Sequence, residues 1–218
     1  MSTEQFLSHL EQQGAAKPLP HPLLVAVRWV VLLLLYMLLV LAITTIRPDI
    51  DNKLTEVWFV AELAIMLATS CAAIFSASYL ALPDCGQKPW LRFAPLLSIT
   101  IMLVALAFFM MQPGAMTLSE CLRAGEYDCI VHLIVFSIVP VLLLFAALSK
   151  SAPVLNGWAG AMIGLAAGSM GYTILRLTEA SDDAIILAVW HMLPVAVITG
   201  CCVLIGRSIL GRWSHTTA

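Results

Sequence analysis

Charge is scarce in this chain: 11% of its 218 residues are Asp, Glu, Lys or Arg, while 61% are apolar. Soluble domains carry about 25% charged and roughly 45–50% apolar residues. A water-soluble fold of this composition would lack the polar surface to cover itself. A basic excess is missing as well, since the net charge is −2 and the pI is near 6.2. That balance argues against direct binding of nucleic acid. No Cys-x-x-Cys pair and no zinc-finger or zinc-ribbon spacing occurs among the six cysteines, which argues against close-pair redox catalysis and a structural zinc module. A cleavable signal peptide is also missing. The first apolar run starts near Leu23 behind a polar tail without a small-residue cleavage site, so the first helix is expected to remain in the mature protein.

Long apolar runs are what the chain does have. A hydrocarbon core about 30 Å thick requires roughly 20 apolar residues at 1.5 Å rise per residue. Six segments qualify: about Leu23 to Ile46, Val57 to Leu82, Phe93 to Met111, Ile130 to Leu148, Trp158 to Leu177 and Ala184 to Ile205. The expected fold is all-α, a polytopic membrane protein built as a bundle of six transmembrane helices with short loops. Residues 1–22 form a tail with a short amphipathic helix, 23–206 the transmembrane domain and 207–218 a second tail. The connections leave no room for another folded domain, so function must lie in the bundle, its loops or its tail.

Orientation follows from the Lys and Arg residues near the helix ends. With the N-terminus inside, the cytoplasmic side holds Lys17, Arg28, Lys88, Arg92, Lys150, Arg207 and Arg212; the far side holds Arg47, Lys53, Arg123 and Arg176. Seven against four favours both termini in the bacterial cytoplasm. Asp49, Asp51, Glu56, Glu120, Glu126, Asp128, Glu179, Asp182 and Asp183 then make the outer face acidic.

In the N-terminal tail, Phe6, Leu7 and Leu10 make one apolar stripe on a short helix, with Ser2 or Thr3 as N-cap and Gly14 as stop. So short a helix is marginal alone in water and needs a partner or a membrane surface. The KPLPHP that follows is a stiff, polyproline-like spacer. A disordered tail is the plainer reading of the same residues.

Cys121 and Cys129 are separated by seven residues in the connection QPGAMTLSECLRAGEYDC. On an oxidising outer face they form a stapling disulfide, serve as a redox or metal sensor, or stay unpaired; composition and spacing leave all three open. Glu120, Glu126, Asp128 and His132 would complete a mixed site for a transient metal ion. No resident cofactor is expected. Glu62 is an ionisable group within an apolar segment and therefore a functional candidate. A structural pair with Arg47 or Arg176 is favoured over a proton or ion relay. His191, beside Trp190 in the sixth segment, reads as a satisfied polar contact between helices rather than a ligand. Gly160, Gly164 and Gly168, four residues apart, place the fifth helix at the centre of the bundle or in a homo-oligomer seam. Cys71, Cys85, Cys201 and Cys202 read as packing residues or, for Cys85, a reduced cytoplasmic thiol.

The order of several short motifs resembles the NrsF-like family of bacterial inner-membrane anti-sigma proteins. The motifs are KPLPHP at the end of the tail, RPD at Arg47 to Asp49, Glu62, ALP at Ala81 to Pro83, Glu120-Cys121 and YDC at Tyr127 to Cys129. They continue through the glycine-rich fifth segment, Arg176-Leu177 and VWHMLP at Val189 to Pro194. The resemblance spans essentially the whole chain. It implies a non-enzymatic regulator that sequesters an extracytoplasmic-function sigma factor through its cytoplasmic part. It also implies that Cys121 and Cys129 govern release under metal or oxidant stress. Relatives place a further cysteine and proline just after the Arg-Leu pair, where this chain has Thr178, Glu179 and Ala180. Competing classes are a membrane thiol–disulfide oxidoreductase, which the missing close cysteine pair disfavours, and a small solute transporter, which the near absence of midplane charge disfavours.

Overall fold

A computed structural model of the chain describes residues 21–81, 89–113, 115–149 and 155–210. Phe6, Leu7, Leu10 and Cys85 lie outside these residues. Six helices are long and apolar enough to cross a membrane. They are α1 (Pro22–Ile43), α3 (Val57–Leu80), α4 (Ala94–Met110, led by a 3₁₀ turn at Pro89–Arg92), α6 (Tyr127–Leu148), α7 (Asn156–Thr178) and α8 (Ala184–Leu210). Two short helices, α2 (Ile50–Lys53) and α5 (Leu118–Ala124), sit in the connections. Every sequence-expected segment is found, and no strand occurs among the described residues.

The boundaries differ at informative places. The connection holding Cys121 was expected as a loop, yet it forms α5, because Thr117 and Glu120 make a reciprocal capping box and Gly125 closes the helix at φ 63°. That left-handed conformation is one that glycine adopts at no steric cost. Cys129, expected in the same loop, belongs to the first turn of α6. The sixth span passes its expected end at Ile205 and continues through Leu210.

The least hydrophobic span is the most buried. In α7 an 18-residue window of mean hydropathy 1.2 is 89% buried, whereas α1, at 2.7, is 17% buried. Lipid tails are as apolar as leucine, so hydropathy drives a helix toward lipid as readily as toward protein, and small residues decide which helix sits inside. A Cβ at Gly160 would collide with the Cys202 carbonyl, and one at Gly164 would fall 2.6 Å from Thr199 Cα. Both contacts are backbone of α8, so α7 and α8 touch main chain to main chain. A Cβ at Gly171 would meet the Ser137 hydroxyl and fall 3.1 Å from the Leu133 carbonyl of α6. Around this axis, Ser70 donates to the Ala166 carbonyl at 2.9 Å and Tyr36 to the Phe136 carbonyl at 3.0 Å.

Helix α8 widens to π geometry over Leu187–Met192, where the Leu193 amide reaches back five residues to the Ala188 carbonyl. Pro194 supplies the cause. It has no N–H to give the Trp190 carbonyl, and its ring would crowd that oxygen in a regular helix. The preceding turn relaxes into the wider register.

Candidate functional site

All connections that carry most of the acidic residues gather at one end of the bundle. There Arg47, in the segment joining α1 to α2, is only 1% exposed. Its amide donates to the Leu177 carbonyl at 3.0 Å, which ties the segment to the end of α7. Its guanidinium donates to both oxygens of Asp49 at 2.7 and 2.8 Å and to both oxygens of Asp182 at 3.1 and 3.0 Å. Asp182 also meets Lys53 at 2.9 Å and Arg176 at 3.1 Å. Arg176 carries the network inward, donating to Glu62 at 2.6 and 3.1 Å. Tyr172, one helical turn before Arg176 on the same face of α7, donates its hydroxyl to Glu62. Acidic and basic groups alternate along the whole chain of contacts.

Phe59 forms its apolar support. The Arg47 and Arg176 guanidinium carbons lie 5.3 and 5.1 Å from its ring centroid, within the range where a cation is attracted by the ring face. A planar guanidinium can bind a carboxylate bidentately and rest on an aromatic ring at once, which an ammonium cannot. The expected structural pair of Glu62 is therefore with Arg176, while Arg47 serves Asp49 and Asp182.

The charges at the outer rim are mutually adapted. Desolvation pushes the Asp182 carboxyl up, but hydrogen bonds from Arg47 and Lys53 and the charge of Arg176 outweigh it and hold the group below the ordinary carboxylate range. The Arg47 hydrogen bonds lower Asp49 as well. A carboxyl with a depressed folded-state pKa contributes stability that is fully present above its unfolded value, about 3.9, and is lost as pH falls through the folded one. Thermal midpoints are thus expected to fall as pH drops below about 4. In Asp182→Asn that acid-dependent loss is expected to shrink while the midpoint at pH 7 is already lower. A pH series of melting curves on both proteins checks this, and parallel curves would contradict the assignment.

The cysteine hairpin packs against the same end. Cys121 is buried, with Sγ 3.8 Å from the Ile185 carbonyl. The Trp190 indole donates to the Cys121 carbonyl at 3.4 Å and meets Tyr127 edge-on at 5.0 Å between centroids. Cys129 Sγ lies 3.5 Å from Glu126 Oε2. Both thiols are free and have separate partners. Burial pushes the Cys121 thiol up, opposed by the nearby Trp190 indole N–H and reinforced by the charges of Asp183 and Glu126. A protonated, covered thiol is a poor nucleophile and a poor metal ligand.

Cys129 borders a cleft of about 460 Å³ with Glu126, Asp128, His132 and Glu179. His132 Nδ1 lies 3.3 Å from Glu179. Among the described residues no three His, Cys, Asp or Glu side chains converge to hold a metal ion. The candidates from the sequence therefore separate into two groups, with His132 beside Cys129 and with Glu62 and His191 around Tyr172. His191 corrects its expectation. Its ring stands edge-on to Tyr172 at 5.7 Å, but neither nitrogen has a hydrogen-bond partner among the described residues.

Residues 179–183, between α7 and α8, join the two groups. Ser181 donates its hydroxyl to Glu126 at 3.3 Å and its carbonyl accepts from Arg176. Glu179 faces His132 and Asp182 faces the arginines. Neither Tyr172 nor Phe59 stands out in the sequence as a site residue, and Asp182 stands in it only as one of the acidic residues of the outer face. The four-residue spacing of Tyr172 and Arg176 was the one local signal; the rest depends on contacts between distant segments.

A family model described as negative regulator of sigma F matches residues 11–213. No curated protein matches the chain, and no solved structure does.

Proposed function

This chain belongs to the NrsF family, the negative regulators of sigma F, and we propose that it is a membrane anti-sigma factor that sequesters an extracytoplasmic-function sigma factor and releases it when a signal reaches the cysteine hairpin. A regulator family supports a non-enzymatic role. In this reading the membrane is the bacterial inner membrane, both termini are cytoplasmic, and the acidic end faces outward. The apolar stripe Phe6, Leu7 and Leu10 enters a groove of the sigma factor, as amphipathic segments do with i, i+3 and i+4 anchors.

The observation that carries the proposal is the 179–183 segment, which is bonded on one side to Glu126 and His132 near the cysteines and on the other to the buried arginine network. Cys121 rests on the first turn of α8, just ahead of the π segment. Oxidation of these thiols, or their capture by a thiophilic metal, requires α5 to leave its seat, because Cys121 is covered while docked. That departure removes the Trp190 contact and loosens the start of α8. The π segment that Pro194 imposes adjoins that turn, so a change at the start of α8 reaches the part of the helix whose hydrogen bonding is already irregular.

Co-purification of the full chain with its sigma factor, lost on deleting residues 1–20, is the expected result. Continued repression of sigma-dependent transcription by the deletion variant would remove the tail as the binding element. Cys121→Ser or Cys129→Ser is expected to change induction by oxidants or thiophilic metals, and an unaltered response in both would make the pair structural. Topology reporters at the termini check the orientation.

A further inference from the structure

We infer that Glu126 is a two-position relay: with the Cys129 thiol free it bridges that thiol to Ser181, and with the thiol capped it turns to the amides at the start of α6. The inference deepens the proposed function and rests on its reading that the cysteine hairpin receives the signal. Glu126 stands at the N-cap position of α6, where an acidic side chain is drawn to the unpaired amides of the first turn. It makes no hydrogen bond to them. Its two oxygens go instead to two other side chains. Oε2 accepts from the Cys129 thiol at 3.5 Å, and Oε1 accepts from the Ser181 hydroxyl at 3.3 Å. One carboxylate thus ties a thiol of α6 to the connection between α7 and α8. Beyond it the path is continuous, since the Ser181 carbonyl accepts from Arg176, which donates to Glu62 at 2.6 Å.

The two thiols are unequal in this arrangement. Cys121 faces the Ile185 carbonyl under α8, whereas Cys129 lines the cleft of about 460 Å³. Joining both thiols requires α5 to leave its seat, but a small reagent reaches Cys129 alone while α5 stays docked. A capped sulfur has no hydrogen to donate to Oε2. The half-buried carboxylate then keeps one donor, Ser181, against the partial positive charge of the helix start beside it. The balance moves toward the amides, and Ser181 loses its acceptor. A thiol is a weak donor, so the relay shifts a population between two positions of one side chain rather than unfolding the hairpin.

Methyl methanethiosulfonate serves as the probe: its methylthio group forms a disulfide with the cysteine sulfur, its own S–S bond breaks, and methanesulfinate leaves with the thiol proton. On the full chain in detergent, peptide mass spectrometry is expected to find Cys129 labelled ahead of Cys121. Labelling is expected to speed amide exchange about fivefold in peptides spanning residues 177–187, the net worth of one ordinary hydrogen bond. The Glu179 and Ile185 amides, both hydrogen-bonded, report there. Cys129→Ser keeps a donor for Glu126 and is expected to abolish the response, which excludes labelling at other cysteines as its cause. Glu126→Ala is expected to exchange fast before labelling and to change no further after it, whereas a residue that only props the fold would leave the increment intact. Glu126→Gln keeps a partner for both the thiol and Ser181 and is expected to retain the response. Ser181→Ala, which alters no helix start, is expected to lose it and tests the link even if Glu126→Ala does not fold. Cys121 labelled first, or a full increment in Glu126→Ala or Ser181→Ala, overturns the relay. The measurement needs no sigma factor. Unaltered induction in both cysteine variants would therefore fail the proposed function alone, and an exchange increment independent of Glu126 would fail the relay alone.

Discussion

Glu62→Ala is expected to destabilise the bundle by about 3–5 kcal/mol, the usual consequence of removing one member of a buried ion pair. Glu62 is fully buried and Arg176 is 2% exposed. The truncation leaves a guanidinium that cannot shed its proton and a Tyr172 hydroxyl without its acceptor. Asp182 still faces Arg176, but its side chain is 36% exposed and already shared with Arg47 and Lys53, so it compensates poorly. At 2–4 °C per kcal/mol for a chain of this size, the thermal midpoint in detergent should fall by roughly 10 °C. The double variant Glu62→Leu/Arg176→Met is expected to recover most of that loss, since no charge is left buried alone. A melting cycle over the single and double variants measures the coupling directly. If Glu62→Ala melts with the wild type, the pair contributes nothing and the network is a rim feature. The double variant also separates stability from regulation, because it restores packing without restoring the link from residues 179–183 into the core.

Gly160→Val carries the second large effect. The collision is with the carbonyl of Cys202, and a Cβ there would also come within 3.2 Å of Gly206 Cα. Main chain cannot rotate out of the way as a side chain can, so α7 and α8 must separate along their length. Overpacking a well-filled core costs about 1–3 kcal/mol and more where the backbone must move; the upper end applies here. Gly200 gives the contrast. It lies on α8 with nothing within 4 Å of an added Cβ, so Gly200→Ala is expected to be neutral or to stabilise by up to about 0.5–1 kcal/mol through its effect on the helix backbone. Thermal-shift measurements on the two variants distinguish a packing seam from a general intolerance of glycine replacement. Equal midpoints would contradict the seam.

The glycine spacing illustrates what a linear pattern conveys. Small residues every fourth position mark one helix face that admits close neighbours, and that much is local geometry. The neighbour is not local. Placing α8 rather than a second copy of the chain on that face required the α7–α8 contacts themselves. Glu62 follows the same division. An acid in an apolar segment demands a partner by its solvation cost, and Arg47 and Arg176 are the candidates the sequence reading offers at the same end. Choosing Arg176 depended on Tyr172 sharing its face of α7 and on Asp49 and Asp182 engaging Arg47. His191 was misjudged because a Trp neighbour in sequence points elsewhere once α8 widens ahead of Pro194. The indole serves Cys121, and the imidazole is left with an aromatic edge.

Composition and period alone therefore determined that this chain is a six-span helical membrane protein, that its fifth span is a packing helix, and that its charges collect at the helix ends. These follow from the cost of exposing polar backbone or charge to hydrocarbon, which acts on each segment independently. The tertiary structure decided that residues 179–183 join the cysteine hairpin to a buried arginine network, and that Cys121 is seated on α8 instead of facing water. Those facts depend on which distant segments become neighbours, and hydrogen bonds and ion pairs between segments 55 to 135 residues apart leave no period in the sequence.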